Sequence, residues 1–336
     1  MKKVATRVLG IEIGSHLIKM IEVIKRGEYL TVQRYSILHT PPNCICNGII
    51  SKKKVLYKVI SEELKSQKYK ARKVVAIVQS SHIIIRNILM EPYAEKTIKQ
   101  LLEIKPETFL PIEKKQYQVD YKILGKVEQE EVKNKLEVVA APNDIIFPLA
   151  ELMEDLKIKP ICISIPSEAL ANIFTLEPRM IYDENKNIMI IDMGGCSTTV
   201  TIIAENGEVL TRIISSGVED ANTGGLRFYD LDSSAMETFE EYFLTIIKPQ
   251  VEYRIVPEIE KILHFYYANY QAPPIKKIYL IGGGANINGL RAYLRDILNT
   301  PTKKVNQLDF VHVAPKIEFE KYIGLFVNII GAIRWV

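Results

Sequence analysis

The chain has 336 residues, of which 47% are apolar, and a formal net charge of +4 at pH 7. This length predicts about two domains, and the composition is typical of a water-soluble globular protein. The mild charge argues against a nucleic-acid-binding protein, which usually carries a concentrated basic face. We find neither a secretory signal nor a run of roughly 18 apolar residues, so we expect a cytoplasmic protein without a membrane span.

The first half of the chain predicts a mixed α/β domain, which begins with three strands near 7–14, 17–25 and 29–37. Apolar spacing then predicts a helix ending near Gln67, strands near 73–79 and 83–89, a helix from Ala94 interrupted at Pro106, strands near 116–124 and 136–141, a helix over 143–156, a strand over 159–164 and a helix from Pro166. The block from about 74 to 147 has no counterpart in the second half. We interpret it as an inserted α+β subdomain of a first domain that covers residues 1–180.

The second half, residues 181–336, repeats the beginning of the first at an offset of 180 residues, which places Gly14 on Gly194. The run Leu9–Ser15 returns as Met189–Gly195, again as an apolar strand, an acid and a glycine turn. Further elements are predicted as a loop around Gly224-Gly225, helices over 234–247 and 250–270, a strand over 277–281, a helix from about Asn288 and a buried terminal helix.

The two repeated turns have the chemistry of a phosphate site. A backbone that approaches phosphate closely has no room for a Cβ, and its N–H groups must converge on the anion. The glycines, hydroxyls and cation suited to that role are Gly14, Gly194 and Gly195, then Ser15, Ser197 and Thr198, and Lys19. Glu12 and Asp192 would hold Mg²⁺ through its waters, because this ion loses water reluctantly. The alternative is a pair of ordinary tight turns in a duplicated β unit.

A third glycine segment, Gly282-Gly283-Gly284, follows the predicted strand 277–281. A strand that ends in glycines and leads into a helix lets a base or a phosphate lie against the backbone. The consecutive glycines do not form a GxGxxG dinucleotide fingerprint.

These motifs resemble those of the actin, hexokinase and Hsp70 superfamily, and most closely the PilM family of type IV pilus biogenesis, which is related to FtsA. The segments that carry the resemblance are Gly10–Ser15 with Lys19, Phe109–Ile112, Val138–Pro142, Ile255–Tyr266 and Gly324–Arg334. The resemblance implies an α/β, actin-like (ribonuclease H-like) fold with duplicated domains around a cleft for ATP and Mg²⁺. It adds His16 and Gly217 to the ATP-binding candidates, and Glu258 and Lys261 as adenosine contacts, although these two could also be solvated helix charges.

The chain departs from the family pattern at two positions. Glu12 stands where PilM proteins typically have Asp, and Ile165 stands where the superfamily usually has a polar or acidic residue before a proline. That residue would orient the attacking water in nucleoside triphosphate hydrolysis. We therefore expect ATP binding with slow turnover or none, with Glu168 as a weak candidate for a substitute.

The resemblance also implies partners. In PilM the inserted subdomain and the first half form a groove for the N-terminal cytoplasmic tail of the inner-membrane protein PilN. We expect an adaptor at the inner face of the membrane that docks a PilN-like tail, with the pilus assembly motor as a second candidate partner. We expect it to reach the membrane only through partners and to bind no nucleic acid. The alternatives are an FtsA-like filament protein of cell division, although the chain ends without that family's membrane helix, and a sugar or acetate kinase of the same superfamily.

Two basic clusters, Lys52-Lys53-Lys54 and Lys68–Lys73, lie in the first half. We interpret them as a solvated surface. The alternative is a weak contact with anionic lipid headgroups.

Overall fold

The computed structural model describes residues 5–128, 132–175, 187–218, 243–270 and 273–336. Its strands are β1 (Thr6–Ile13), β2 (Leu17–Arg26), β3 (Tyr29–His39), β4 (Ile45–Cys46), β5 (Ile49–Ile50), β6 (Lys73–Ile77), β7 (Ile84–Met90), β8 (Tyr117–Glu128), β9 (Val132–Pro142), β10 (Lys159–Ser164), β11 (Ile188–Met193), β12 (Thr198–Ile203), β13 (Val209–Ile214), β14 (Lys277–Ile281), β15 (Thr302–Lys304) and β16 (Val311–Val313). Its α-helices are α1 (Lys53–Ser66), α2 (Glu95–Ile104), α3 (Asn143–Asp155), α4 (Pro166–Phe174), α5 (Lys248–Gln250), α6 (Val256–Tyr270), α7 (Leu290–Ile297) and α8 (Ile323–Trp335).

The structure confirms the repeat, because each half contains a sheet that begins with the same three-stranded meander. In the first half β1, β2 and β3 form an antiparallel meander, and β6 lies parallel to β1 on its other side. In the second half β11, β12 and β13 form the same meander, with β14 parallel to β11. The full sheet orders are β10-β6-β1-β2-β3-β16 and β13-β12-β11-β14-β15. Each half therefore places the turn after its first strand at the same edge of its sheet.

The closing helix α8 joins the two halves. It is apolar around its whole circumference, and almost all of its residues are buried, as expected for a helix inside a core. Gly331 allows it to approach α4 so closely that a Cβ there would overlap the backbone of Ala169. The rings of Phe174 and Tyr279, one from each half, lie 4.9 Å apart in the shared core. The predicted buried terminal helix is thus confirmed.

The inserted subdomain has its own antiparallel sheet, in the order β7-β9-β8, and its own core under α2. This sheet begins at Ile84, whereas the sequence pattern predicted an insertion that begins near residue 74. The difference arises because the apolar strand β6 is buried on both faces and pairs with β1 and β10 of the main sheet. At the other end α3 packs Ile145 and Leu149 into the first-half core rather than into the insertion.

Several predicted features lie outside the described residues. These are the domain boundary at 180/181, the loop around Gly224-Gly225 and most of the helix predicted over 234–247. Among the described residues, none of the helices has the length and apolar character that a membrane span requires.

Candidate functional site

The two repeated turns have the same backbone geometry. Gly14 N–H donates to the Leu17 carbonyl at 2.9 Å, and Gly194 N–H donates to the Ser197 carbonyl at 2.9 Å. A Cβ on either glycine would stand 3.1 or 3.0 Å from that same acceptor oxygen. Contacts this short are tighter than most Cβ contacts in proteins, so each turn favours glycine over residues with a side chain.

The turns face each other across a cleft between the halves. His16 and Cys196 occupy equivalent positions, 180 residues apart, and His16 Nε2 lies 2.9 Å from Cys196 Sγ. The cleft encloses a cavity of about 110 Å³ that continues into one of about 510 Å³. The predicted residues that line the smaller cavity are Glu12, Gly14, Ser15, His16, Lys19, Asp192, Gly194, Gly195, Ser197, Gly282, Gly283 and Gly284.

A buried ion pair lies at the first-half side of this cleft. Glu12 and Lys19 are cross-strand partners on β1 and β2, and Lys19 Nζ lies 2.6 Å from Glu12 Oε1. Burial raises the pKa of the Glu12 carboxyl, and the negative charge of Asp192 adds to that rise, while Lys19 opposes it. The second oxygen, Glu12 Oε2, is buried and has no hydrogen-bond partner among the residues that the structure describes. A buried carboxylate oxygen is costly unless a cation or a donor satisfies it, so Glu12 is suited to hold a cation or its water.

Asp192 holds the corresponding position in the second half, and two elements fix its carboxylate. Asn328 on α8 donates Nδ2–H to Asp192 Oδ2 at 2.8 Å. Gly282, with φ 81° and ψ −176°, places its backbone against the other carboxylate oxygen, so that a Cβ there would overlap Oδ1. The neighbouring Gly283 is open, because its Cβ would meet nothing nearer than 3.9 Å. The glycine segment therefore both positions Asp192 and leaves room in the cleft.

Two other predicted residues, Gly217 and Thr198, pack against the second turn or its neighbouring strand rather than line the smaller cavity. Gly217 is packed so tightly on Gly194 and Gly195 that a Cβ would overlap their carbonyl groups. Thr198 is buried and donates its hydroxyl to the Ser216 carbonyl at 2.8 Å, so this hydroxyl is not directed at the cleft.

Three predicted residues are not among those that line the cavities described above. On α6, Lys261 is exposed and Glu258 is half-buried, and the two side chains pair with each other at 2.6 Å. Glu168, in the first turn of α4, lies close to Glu137 and Cys162, where its charge adds to the effect of burial in raising the pKa of each. The adenosine role of Glu258 and Lys261 and the substitute role of Glu168 therefore stay predictions.

Sequence reasoning missed Gln79, Cys196 and Asn328. Gln79 follows β6 and donates its amide to Thr199 Oγ1 of the second half, so it bridges the cleft. Cys196 could have been found, because the 180-residue offset pairs it with His16. Gln79 and Asn328 have no equivalent in the repeat, and only the tertiary structure shows them.

Asn328 offers a direct test of how Asp192 is held. Asn328 and Asn172 are buried to nearly the same degree, but in the described part of the chain Asn172 Nδ2 has no hydrogen-bond partner. We expect Asn328→Ala to lower the free energy of unfolding by about 1.5–3 kcal/mol more than Asn172→Ala, since a hydrogen bond to a charged group is worth about that much. Urea denaturation of both variants measures the difference. Equal losses would mean that the Asn328–Asp192 bond contributes nothing to the stability.

Comparisons with known proteins agree with this architecture. The model of the family described as type IV pilus assembly protein PilM matches residues 10–323. A solved structure described as a PilM–PilN type IV pilus biogenesis complex is similar to 99% of this chain and 98% of its own, with a TM-score of 0.77 and 22% identity. The ethanolamine utilization protein EutJ from Carboxydothermus hydrogenoformans matches 96% of this chain and 88% of its own, with a TM-score of 0.51 and 11% identity. The expected α/β, actin-like fold is thereby confirmed.

Proposed function

Because the chain belongs to the type IV pilus assembly protein PilM family, we propose that it is a cytoplasmic, ATP-binding adaptor that docks the N-terminal tail of a PilN-like inner-membrane protein. The observation that carries the ATP proposal is the pair of glycine turns with the same backbone hydrogen bond, which face each other beside the buried carboxylate of Glu12. The proposal of a PilN-like partner rests on family membership and on the similar structure that is described as a PilM–PilN complex.

The residues of the cleft fit a nucleotide with a magnesium ion. Backbone N–H groups of Ser15, Gly195 and Ser197 would bind phosphate oxygens, as turns of this kind do. Glu12 and Asp192 offer the oxygen ligands that Mg²⁺ prefers, directly or through its waters. The unpartnered Glu12 Oε2 is the feature that such an ion or its waters would satisfy. When bound, the ion would neutralise charge on the phosphates.

Slow turnover is also part of the proposal. Ile165 lies at a cavity of about 240 Å³ beyond Gln79, and the side chains that line this cavity include hydroxyls, an amide and Arg212 but no carboxylate. A water held there would find no acidic side chain among these lining residues to orient it or accept its proton. Glu168 lies on another side of α4, near Cys162. The arrangement therefore favours holding ATP over hydrolysing it.

Several contacts could couple the nucleotide to a partner. His16 touches Cys196, Gln79 binds Thr199, and Lys135 of the insertion forms an ion pair with Glu208 of the second half. All three contacts join opposite sides of the cleft, so a ligand that changes the distance between the halves would also change the position of the insertion. Phe147, exposed at the start of α3 where the insertion ends, offers an apolar contact for a docked tail. A ligand acts in this way only through different affinities for the open and closed states.

The proposal is tested by calorimetric titration with ATP and Mg²⁺. We expect saturable binding that becomes about 100-fold weaker or undetectable in Asp192→Ala, because one of the two cation-binding carboxylates is lost. Asp296→Ala removes an exposed carboxylate on α7 and should bind like the wild type. A synthetic peptide with the sequence of a PilN-like tail should also bind.

Each outcome has a distinct meaning. If neither ATP nor the peptide binds, the glycine turns are structural and the proposed function fails, although the fold stands. If the peptide binds without ATP, the adaptor role stands and the nucleotide role fails.

A further inference from the structure

Two neighbouring segments of the first half expose only basic side chains. In segments 68–73 and 157–159 every exposed residue is Lys or Arg, whereas the residues between them, Tyr69, Ala71 and Ile158, are buried. The six side chains of this basic surface are Lys68, Lys70, Arg72, Lys73, Lys157 and Lys159. Within the described parts of the chain, none of the six is ion-paired with a carboxylate.

The backbone holds the two segments side by side. Lys159 N–H donates to the Arg72 carbonyl at 2.7 Å, and Lys159 is the register partner of Lys73 where β10 pairs with β6. The buried carboxylate of Glu22 accepts hydrogen bonds from the backbone N–H groups of Lys70 and Ala71, both at 2.6 Å. The charges are therefore concentrated by the fold itself, while their side chains extend into solvent.

Both segments begin with the same motif that ends a helix. In both motifs a lysine adopts a backbone conformation that favours glycine. Lys68 and Lys157 follow α1 and α3 with φ values of 55° and 59°, in the left-handed region. The next residues, Tyr69 and Ile158, donate to carbonyls five positions back at 3.0 Å in each case. This is the Schellman arrangement, in which glycine is the usual residue at the left-handed position because it has no Cβ. A lysine in both places costs stability, which suggests that its charge serves another purpose.

The basic surface lies at the opposite end of the sheet from the cleft. The parallel strands β6 and β10 begin at this surface and lead to Gln79 and Ile165, which line the cavities described above. A ligand on the basic surface would leave the cleft accessible.

We propose that the basic surface binds the anionic lipid headgroups of a bilayer. It contains no exposed aromatic ring on which nucleic-acid bases could stack, and no exposed apolar side chain to anchor a folded protein. Charge alone is sufficient for an anionic bilayer, where each Lys or Arg near the surface strengthens binding about fivefold. The inference rests on the proposed function in one respect, the choice of a bilayer rather than another polyanion. A protein docked to a membrane-anchored tail would meet lipid headgroups at high effective concentration.

Cosedimentation of the full chain with phosphatidylglycerol vesicles and with phosphatidylcholine vesicles tests the proposal. It needs neither ATP nor a tail peptide, so its failure is distinguishable from failure of the proposed function. We expect binding to the anionic vesicles alone, weakening as salt is raised because exposed charges are screened. The triple variant Lys68→Glu, Lys70→Glu, Lys73→Glu should bind at least about 100-fold more weakly. The control, Lys96→Glu, Lys99→Glu, Lys105→Glu, changes the net charge equally at exposed positions of α2 and its C-terminal cap, and should bind far better.

A second variant separates lipid binding from folding. Lys68→Gly with Lys157→Gly places glycine where the backbone favours it, so its unfolding midpoint should equal or exceed that of the wild type. Its vesicle affinity should still fall about 25-fold, because two charges are lost. The proposal is overturned if anionic vesicles do not bind the wild type at low salt, if both triple variants weaken binding equally, or if a short DNA duplex competes fully at an equal phosphate concentration.

Discussion

Gly282→Ala is expected to destabilise the protein by about 3 kcal/mol or more, whereas Gly283→Ala at the next position should change the stability little. Gly282 adopts φ 81° and ψ −176°, a region that is accessible almost only to glycine and costs other residues about 1–3 kcal/mol. Its Cβ would also stand 2.7 Å from the Met193 carbonyl oxygen and overlap Asp192 Oδ1. Neither the backbone nor the half-buried carboxylate, which Asn328 holds, can move cheaply. Urea denaturation measures both variants.

The two glycines also separate a general loss of stability from a local effect on the cleft. Because a Cβ at Gly282 displaces Asp192, we expect Gly282→Ala to weaken ATP binding with Mg²⁺ as well, at temperatures where the variant is still folded. Gly283→Ala adds a methyl group with no neighbour nearer than 3.9 Å, so its fold should be unchanged. If the two variants lose equal stability, Gly282 does not hold Asp192 as its backbone geometry indicates.

The repeat made most of the cleft predictable from the sequence. A constant offset relates Gly14 to Gly194, and each predicted turn has the same hydrogen bond in the structure. Both turns lie at equivalent edges of equivalent sheets, so their acids, Glu12 and Asp192, also meet. Local sequence was sufficient because a turn is a local structure, and the duplication fixed the relative position of the two copies.

The remaining features depend on contacts between distant segments. Asn328 reaches Asp192 because α8 crosses between the halves, and nothing in its own helix indicates a polar partner. The charge pattern of α6 could not show that Glu258 and Lys261 pair with each other in solvent. The apolar strand β6 could have belonged to either sheet, since apolar residues on both faces suit any buried parallel strand. The predicted start of the insertion, near residue 74, is therefore earlier than the first strand of its sheet, which begins at Ile84.

Lys19→Met is expected to cost about 3–5 kcal/mol of stability at neutral pH, the usual loss when one partner of a buried ion pair is removed. The side chains of Lys19 and Glu12 are only 9% and 11% exposed, so water cannot replace the missing charge. The exposed Lys99, paired with Glu103 at 3.9 Å on α2, provides the control, and Lys99→Met should leave the unfolding midpoint unchanged. Chemical denaturation at a series of pH values measures all variants.

The pH dependence identifies the cause of that loss. Burial already raises the pKa of Glu12 above its ordinary 4.5, and removal of Lys19 should raise it further. Above that raised pKa the folded protein must hold an unpaired buried carboxylate. Below 4.5 the carboxyl is protonated in both the folded and the unfolded states. The deficit of Lys19→Met should therefore be full above the raised pKa, shrink as the pH falls through that pKa, and disappear below the unfolded value. A deficit independent of pH would mean that lost packing around the lysine stem causes the loss.

The double variant Glu12→Gln, Lys19→Met separates the structural from the functional role of the pair. It contains no buried charge at this position, and replacing a buried ion pair by neutral groups is often neutral or stabilising. We expect it to recover most of the stability that Lys19→Met loses. Its binding of ATP with Mg²⁺ should nevertheless stay weak, because the carboxylate proposed to hold the ion is absent. If the double variant recovers both stability and binding, Glu12 is a structural residue and Asp192 alone would serve the cation. Recovery of stability without binding would show that this pair is kept in the cleft for its ligand, since the fold does not need it.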